Sequence, residues 1–528
     1  MYDYLIVMAN DQRHGEMGRY RRSLSQLLGL GLGPVVFLFI LFSGVVPDEP
    51  VVGRMAAVAA LMAIWWITDA IPLAATALLP VVLYPLMGIM KGKEVASVYF
   101  NHVIFLFIGG FMIALAMEKW NLHRRIALAI IHAIGSSPSR LVLSFMIASA
   151  FLSMWISNTA SAIMMTAIGL AIIKHEEAQF GIERTRKLSI GLLLGIAYGC
   201  SVGGMATLVG TPPNLSFARI FEITFPEADS ITFGQWFVMG LPLCIIMLMI
   251  SWLLIAKVFY RVPKDLELSK GIIHRERKSL GAMSFAECAV SIVFVLTAML
   301  WVLRKDLSLG RVTIPGWSDL LPYPSLIDDG TIAVFMALLL FIIPSKSREI
   351  ESSRTILDID VFKAIPWHIV LLFGGGFALA KGFQSTGLST VIGSQFASLA
   401  DMPPVVTVCS VCFALTFLTE LTSNTATTEM VLPILASVGV AMDTNPLLLM
   451  IPATLSASCA FMMPVATPPN AIVFGSGRIR IPEMVRVGIV LNVLGVIVIS
   501  AFFLLVGTGV FDIEPGKRPD WAEMTVIK

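Results

Sequence analysis

Read along the chain, long apolar runs alternate with short polar breaks from Leu27 to Gly507. A membrane-spanning helix needs about 20 mainly apolar residues. On that measure the pattern predicts eleven spans, at residues 27–46, 55–67, 73–90, 103–117, 188–206, 236–256, 286–303, 331–343, 368–381, 447–463 and 487–507. Two further pairs of apolar arms, within 141–173 and 405–441, each meet at a polar triplet, Ser157-Asn158-Thr159 and Ser423-Asn424-Thr425. Three small polar side chains inside an otherwise apolar run are costly at membrane depth unless they have partners.

The two triplets are the same feature used twice, 266 positions apart (423 − 157 = 266). That offset also carries Gly109-Gly110-Phe111 onto Gly375-Gly376-Phe377, Ala114 onto Ala380 and Leu122 onto Leu388. A second pair of breaks, Val209-Gly210-Thr211-Pro212-Pro213-Asn214 and Ala466-Thr467-Pro468-Pro469-Asn470, repeats at 467 − 211 = 256. Two consecutive prolines remove backbone donors and forbid regular helix, so each is an unwound link within a span. The chain reads as two copies of one unit.

Charge sets the orientation of the copies. Arg140 precedes the first arm pair and Lys174, Arg184, Arg186 and Lys187 follow it, so both its ends face the cytoplasm. Stretches 382–404 and 442–446, around the second pair, hold no Lys or Arg, so that hairpin inserts from outside. The resulting organisation is a cytoplasmic N-terminal segment 1–26, a first repeat 27–256 and a cytoplasmic linker 257–285. A second, inverted repeat 286–510 and an external tail 511–528 complete it. Lys91 and Lys93 fall on the outer side, against the trend. The N-terminus lacks the pattern of a cleaved signal.

Composition agrees: 57% of residues are hydrophobic and 14% charged, far from the roughly 25% charged of soluble domains. The fold class is therefore all-α polytopic membrane protein, with about 11 transmembrane helices and two re-entrant hairpins in inverted-topology repeats. Nucleic-acid binding has no support in so few charges. The six cysteines are unpaired in spacing and most, such as Cys200, Cys412 and Cys459, sit in apolar runs as small hydrophobes. His102, His175 and His368 lie at span ends without metal-ligand spacing, and Asp69, beside Pro72, reads as a helix cap. Gly374-Gly375-Gly376 lies inside a span with no strand before it and is not a nucleotide loop.

The chemistry concentrates at the four breaks. Inverted repeats with discontinuous helices meeting at mid-membrane are the construction of secondary transporters. Hydroxyls, amides and the partial positive charge at helix N-termini suit an anion. Carbonyl oxygens freed at the prolines are hard neutral ligands that suit Na⁺. The broken segments hold no Arg or Lys, so an anion there must be balanced by dipoles and co-bound cations. A nucleophile, base and orienting group do not recur together, which argues against an enzyme.

At these residues the chain resembles the divalent-anion:sodium symporter (DASS) family, the dicarboxylate, citrate and sulfate carriers, over nearly its whole length. The resemblance implies a homodimer in the lipid bilayer and an elevator-type mechanism. It implies two Na⁺ sites, Ser153, Ser157, Asn158 and Gly210 matching the first and Thr419, Thr422, Asn424 and Ala466 the second. The substrate carboxylates would meet Asn158, Thr159 and Thr211 on one side and Ser423, Asn424, Thr425, Thr467 and Pro468 on the other. Glu429 departs from the family pattern and is expected to alter cation binding or pH response. The resulting expectation is an inner-membrane carrier importing succinate, malate or fumarate with Na⁺, its N-terminus cytoplasmic. A sodium-independent dicarboxylate exchanger, or a carrier of citrate or sulfate, is the alternative.

Overall fold

A computed structural model describes residues 22–44, 49–135, 137–261, 270–309, 312–346, 354–396 and 402–522. Most of segment 1–26 and part of linker 257–285 thus lie outside the described residues.

The first helices begin and end where local chemistry dictates. Helix α1 (Leu24–Ser43) starts at a capping box between Ser23 and Gln26 and stops at left-handed Gly44. Helix α2 (Pro50–Thr68) starts at a proline in its first turn and ends at Asp69, also left-handed at φ 49°. Asp69 therefore closes the C-terminus of a helix instead of opening one, a conformation that Asp tolerates better than most residues. The third predicted span is broken into α3 (Leu73–Thr76) and α4 (Leu79–Leu86), with α5 (Gly92–Tyr99) after it.

Next come α6 (His102–Lys119) and α7 (Leu122–Ile134). The latter was not legible as a span, because its pattern is amphipathic: Leu122, Ala127, Leu128 and Ile131 are buried while Arg124 and Arg125 reach acidic partners. The first hairpin is α8 (Pro138–Ser153) and α9 (Asn158–Phe180). The following broken span is α10 (Ile182–Gly204) and α11 (Pro212–Thr224). Helix α12 (Phe233–Leu253) starts at a Thr232–Gln235 capping box and runs into a π-helical stretch, Leu254–Phe259.

Part of the polar linker is helical, as α13 (Lys270–Ser279). The capping box Ser284–Glu287 starts α14 (Phe285–Val302). An antiparallel pair, β1 (Leu307–Leu309) and β2 (Val312–Ile314), leads toward α15 (Asp329–Ile342). Asp329 opens this helix and pairs with buried Arg304 at 2.5 Å. The second copy continues with α16 (Val361–Ala364), α17 (Trp367–Thr386) and α18 (Leu388–Gln395). Its hairpin is α19 (Pro404–Leu418) and α20 (Asn424–Ala441), and its broken span is α21 (Leu447–Ala457) and α22 (Pro468–Phe474). Helix α23 (Ile481–Phe502) completes the bundle.

Eight helical stretches among the described residues are long and apolar enough to cross a membrane. Three shorter apolar ones, Leu73–Leu86, Asp329–Ile342 and Leu447–Ala457, occupy the remaining predicted spans. One close contact recurs at equivalent glycines. A methyl group at Gly109 of α6 would lie 2.5 Å from the backbone of Ala333, and one at Gly375 of α17 would lie 2.5 Å from Ala77. Ala333 and Ala77 are again 256 apart (333 − 77 = 256). Small residues permit this close backbone approach, which supplies the packing that hydrophobicity cannot supply between helices in lipid.

Candidate substrate and sodium site

Each hairpin's turn ends on the serine of its polar triplet, so the asparagine opens the returning helix. Met154 to Ser157 form the first turn, Asn158 is the first residue of α9, and Ser157 caps that helix by accepting from Ala160 N at 3.2 Å. In the second hairpin Thr419 to Ser423 turn the chain and Asn424 begins α20; Ser423 makes no such cap bond. The expectation had placed the triplets within the turn itself. The difference matters, because it puts both asparagines at helix N-termini, where unpaired N–H groups favour negative charge.

The two links fold back in the same way. Asn214 Nδ2 donates to Gly204 O at 3.2 Å and Thr207 O at 2.7 Å. Asn470 Nδ2 donates to Ala460 O and Met463 O, both at 3.0 Å. Donors and acceptors all repeat at an offset of 256, so the unwound backbone is tied by one device used twice. Both asparagines are fully buried, and each bond is worth about 0.5–1.5 kcal/mol net.

Around the first tip, Ser153 donates to Asn158 Oδ1. A methyl group at Gly204 would sit 2.8 Å from Asn158 Oδ1 and 3.1 Å from the Gly210 carbonyl oxygen. Glycine at 204 therefore leaves open a cradle lined by neutral oxygens, the donor set a hard monovalent cation takes. Around the second tip, Thr419 Oγ1 donates to Asn424 Oδ1 at 2.5 Å and lies 3.0 Å from Ala457 O. The neighbouring Ser456 and Ser458 hydroxyls are buried without a partner among the described residues.

The other expected residues divide. Thr211 and Thr467 are buried N-cap residues of α11 and α22, and Thr467 accepts from Asn470 N at 3.4 Å while Thr211 makes no side-chain cap bond. Thr159 is half-buried, Thr425 is buried, and Pro468 is exposed at the start of α22. Thr422 is engaged with Thr427 at 2.5 Å and with Leu418 O, not with Asn424. Ala466 is buried and bonds through its N–H to Met463 O at 3.3 Å. The half-sites interlock: α9 packs against α22, and α20 against α11.

Glu420 was missed by sequence reasoning. It stands where the first repeat has Met154 (420 − 266 = 154), and its carboxylate gathers four donors. Phe461 N, Met462 N and Asn492 Nδ2 reach Oε1 at 2.6, 2.8 and 2.7 Å, and Met463 N reaches Oε2 at 3.0 Å. It thereby satisfies the amides of the second unwound link, which cannot be left bare at membrane depth. An acid inside an apolar run was the available signal.

From Ala160 beside the first tip, a cavity of about 750 Å³ runs along α9, past Ile163 and Ala167, to Lys119, Arg124 and Asp358. At its charged mouth Lys119 lies 2.8 Å from Asp358 and Arg124 pairs with Glu276. Burial pushes the His123 imidazole at the same mouth below its ordinary value, against a bond to the Met117 carbonyl.

Residues 27–511 match the family described as sodium:sulfate symporter transmembrane region. The chain belongs to that family. The sodium-dependent dicarboxylate transporter SdcS of Staphylococcus aureus strain NCTC 8325 / PS 47 is 45% identical over 485 residues, 90% of each chain. The protein of the same name from the bovine strain RF122 / ET3-1 is 44% identical over the same share. Among solved structures, MtrF of Neisseria gonorrhoeae covers 80% of this chain and 84% of its own at TM-score 0.55. The YdaH transporter of Alcanivorax borkumensis covers 79% and 89% at 0.53. Both are 12% identical and speak for the fold alone. This sodium:sulfate symporter relative is thus a multi-pass membrane transporter, and the resemblance read from its polar breaks holds.

Proposed function

We propose that the chain imports a C4-dicarboxylate, such as succinate, malate or fumarate, together with Na⁺, by an elevator-type movement. The observation that carries this reading is the pairing of a hydroxyl with the tip asparagine's carbonyl in both repeats, Ser153 with Asn158 and Thr419 with Asn424. Such a pair presents neutral oxygens to Na⁺ while leaving the asparagine amide N–H groups for a carboxylate. The name of the SdcS relatives, with 90% of the chain aligned, supports both solutes.

In this reading Ser153, Ser157, Asn158 and Gly210 hold one Na⁺, and Thr419, Thr422, Asn424 and Ala466 the other, with Thr422 turning from Thr427 when the ion arrives. Asn158, Thr159, Thr211, Ser423, Asn424, Thr425, Thr467 and Pro468 face the substrate. The carrier sits in the inner membrane as a homodimer, N-terminus in the cytoplasm and C-terminal tail outside. The cavity at Lys119 and Asp358 then opens to the cytoplasm, so the described state faces inward.

Succinate uptake into proteoliposomes, with and without a Na⁺ gradient and with and without internal dicarboxylate, tests the proposal. Uptake that needs the gradient and no internal substrate is expected. Uptake that needs internal dicarboxylate and ignores Na⁺ would mark an exchanger instead.

A further inference from the structure

We infer that the Glu429 carboxyl is a proton-binding site, loaded from the external side, that must be filled before the carrier closes that side. The inference rests on the transport reading and topology proposed above. Glu429 lies on the second hairpin arm, fully buried. Ser216 of α11 donates to its Oε1, and Oε2 has no partner among the described residues. On the opposite side Gly376 of α17 packs so closely that a methyl group there would overlap the carboxyl.

No countercharge is at hand among the described residues. Beyond Ser216 on α11, Arg219 is 3.0 Å from Glu222, which is also 3.2 Å from His102. On α17, Lys381 bonds Gln384 at 2.8 Å. Tyr99 on α5 donates to Ala77 O at 2.5 Å, and Arg54 on α2 donates to Met87 O at 2.9 Å. Helices α18 and α21 contain no titratable residue, and α20 holds only Glu429. An ionised carboxylate with a single hydroxyl donor in such a seam costs several kcal/mol. Burial here therefore requires the proton.

The repeat shows when that proton can exchange. The equivalent of Glu429 is Ile163 (429 − 266 = 163), which is 37% exposed and lines the cytoplasmic cavity. Two more pairs divide by seam. Leu421 is 75% exposed, while its mate Trp155 (421 − 266 = 155) is stacked against Phe233 and edge-on to Phe294. Val465 is 81% exposed, while Val209 (465 − 256 = 209) lies against the position of Gly110. In each of the three pairs one member is exposed and its mate is packed in. In an inverted repeat the outward-facing state exchanges the two roles, and Glu429 then lines an external cavity as Ile163 lines the internal one now.

There the carboxyl loses its proton to external water, and it must regain one to re-enter the seam. Since the internal cavity is lined by Ile163 and not by Glu429, the proton returns to the side it came from. It gates the movement and is not transported.

The test is Na⁺-driven uptake of a substrate that stays doubly ionised, such as fumarate, in uniformly oriented vesicles with each side's pH varied in turn. Raising external pH should slow the wild type by up to about tenfold per unit on the alkaline limb, while internal pH has little effect. Glu429→Gln, which keeps an acceptor for Ser216, should transport with a flat profile. A Glu429→Gln profile as steep as wild type overturns the site. Should that variant fail to fold, equal sensitivity of the wild type to internal and external pH does the same. An effect from the opposite face only, lost in Glu429→Gln, keeps the site and reverses the topology. Absence of any Na⁺-driven uptake strikes the transport reading itself.

Discussion

Thr419 Oγ1 lies 2.5 Å from Asn424 Oδ1, five residues on and across a reversal of the chain. Ser153 makes the same contact with Asn158 at the same spacing in the first repeat. A hydroxyl that holds the amide carbonyl fixes the rotamer of the asparagine, so both ends of the amide are aimed before any solute arrives. Such pre-organisation saves the cost of ordering a side chain on binding.

Thr419→Ala removes that hold and one oxygen of the proposed second Na⁺ site. Half-saturating Na⁺ for succinate uptake should rise about tenfold, the equivalent of about 1.4 kcal/mol. Thr419→Ser should restore most of it. An unchanged Na⁺ titration in the alanine variant removes Thr419 from the site.

Asn424→Asp and Asn158→Asp keep an oxygen toward the cation and replace an N–H donor with negative charge. Two like charges about 4 Å apart at an effective dielectric near 20 repel by ~4 kcal/mol. Subsaturating uptake should fall at least about a hundredfold. Thermal stabilisation of the purified protein by Na⁺ should survive while that by succinate disappears. Loss of both, or of neither, contradicts the division of labour within the amide.

Glu420→Gln turns an all-acceptor group into one with an NH₂ aimed at backbone amides. With four donors converging on it, at least one is left unsatisfied, at a cost of about 1–3 kcal/mol. The detergent-solubilised carrier should melt several degrees lower and uptake should drop, whereas Met154→Leu, at the equivalent position, should do neither. Equal stability of Glu420→Gln and wild type would show that these amides find other partners.

Much of this could be read before any coordinates, because a duplicated membrane unit prints its geometry as an offset. The 256 spacing of the Thr-Pro-Pro-Asn links reappears in the bonds of Asn214 and Asn470, although neither asparagine had been given a role. Glu420 was invisible as an anchor because its donors come from residues 461–463 and Asn492, which nothing local to position 420 reveals. Helix α7 was hidden for another reason: runs of hydropathy find spans, whereas a helix half-charged by Arg124 and Arg125 shows only in its period. The engagement of Thr422 with Thr427 depends on rotamers, and rotamers follow from packing.

Gly110 and Gly376 are equivalent (376 − 110 = 266) but meet different neighbours. A methyl group at Gly110 finds its nearest side chains, Trp301 and Val209, at 3.7 Å, which is ordinary contact. At Gly376 it would overlap the Glu429 carboxyl. Gly110→Ala should therefore be nearly neutral, while Gly376→Ala should destabilise by about 1–3 kcal/mol, the usual cost of overpacking. Because the obstacle is one side chain, Gly376→Ala combined with Glu429→Ala should recover much of the loss. Residues in direct contact are expected to be non-additive in this sense. Melting temperatures of the three variants and the double variant decide it, and additive losses in the pair would mean that Gly376 and Glu429 do not share one seam.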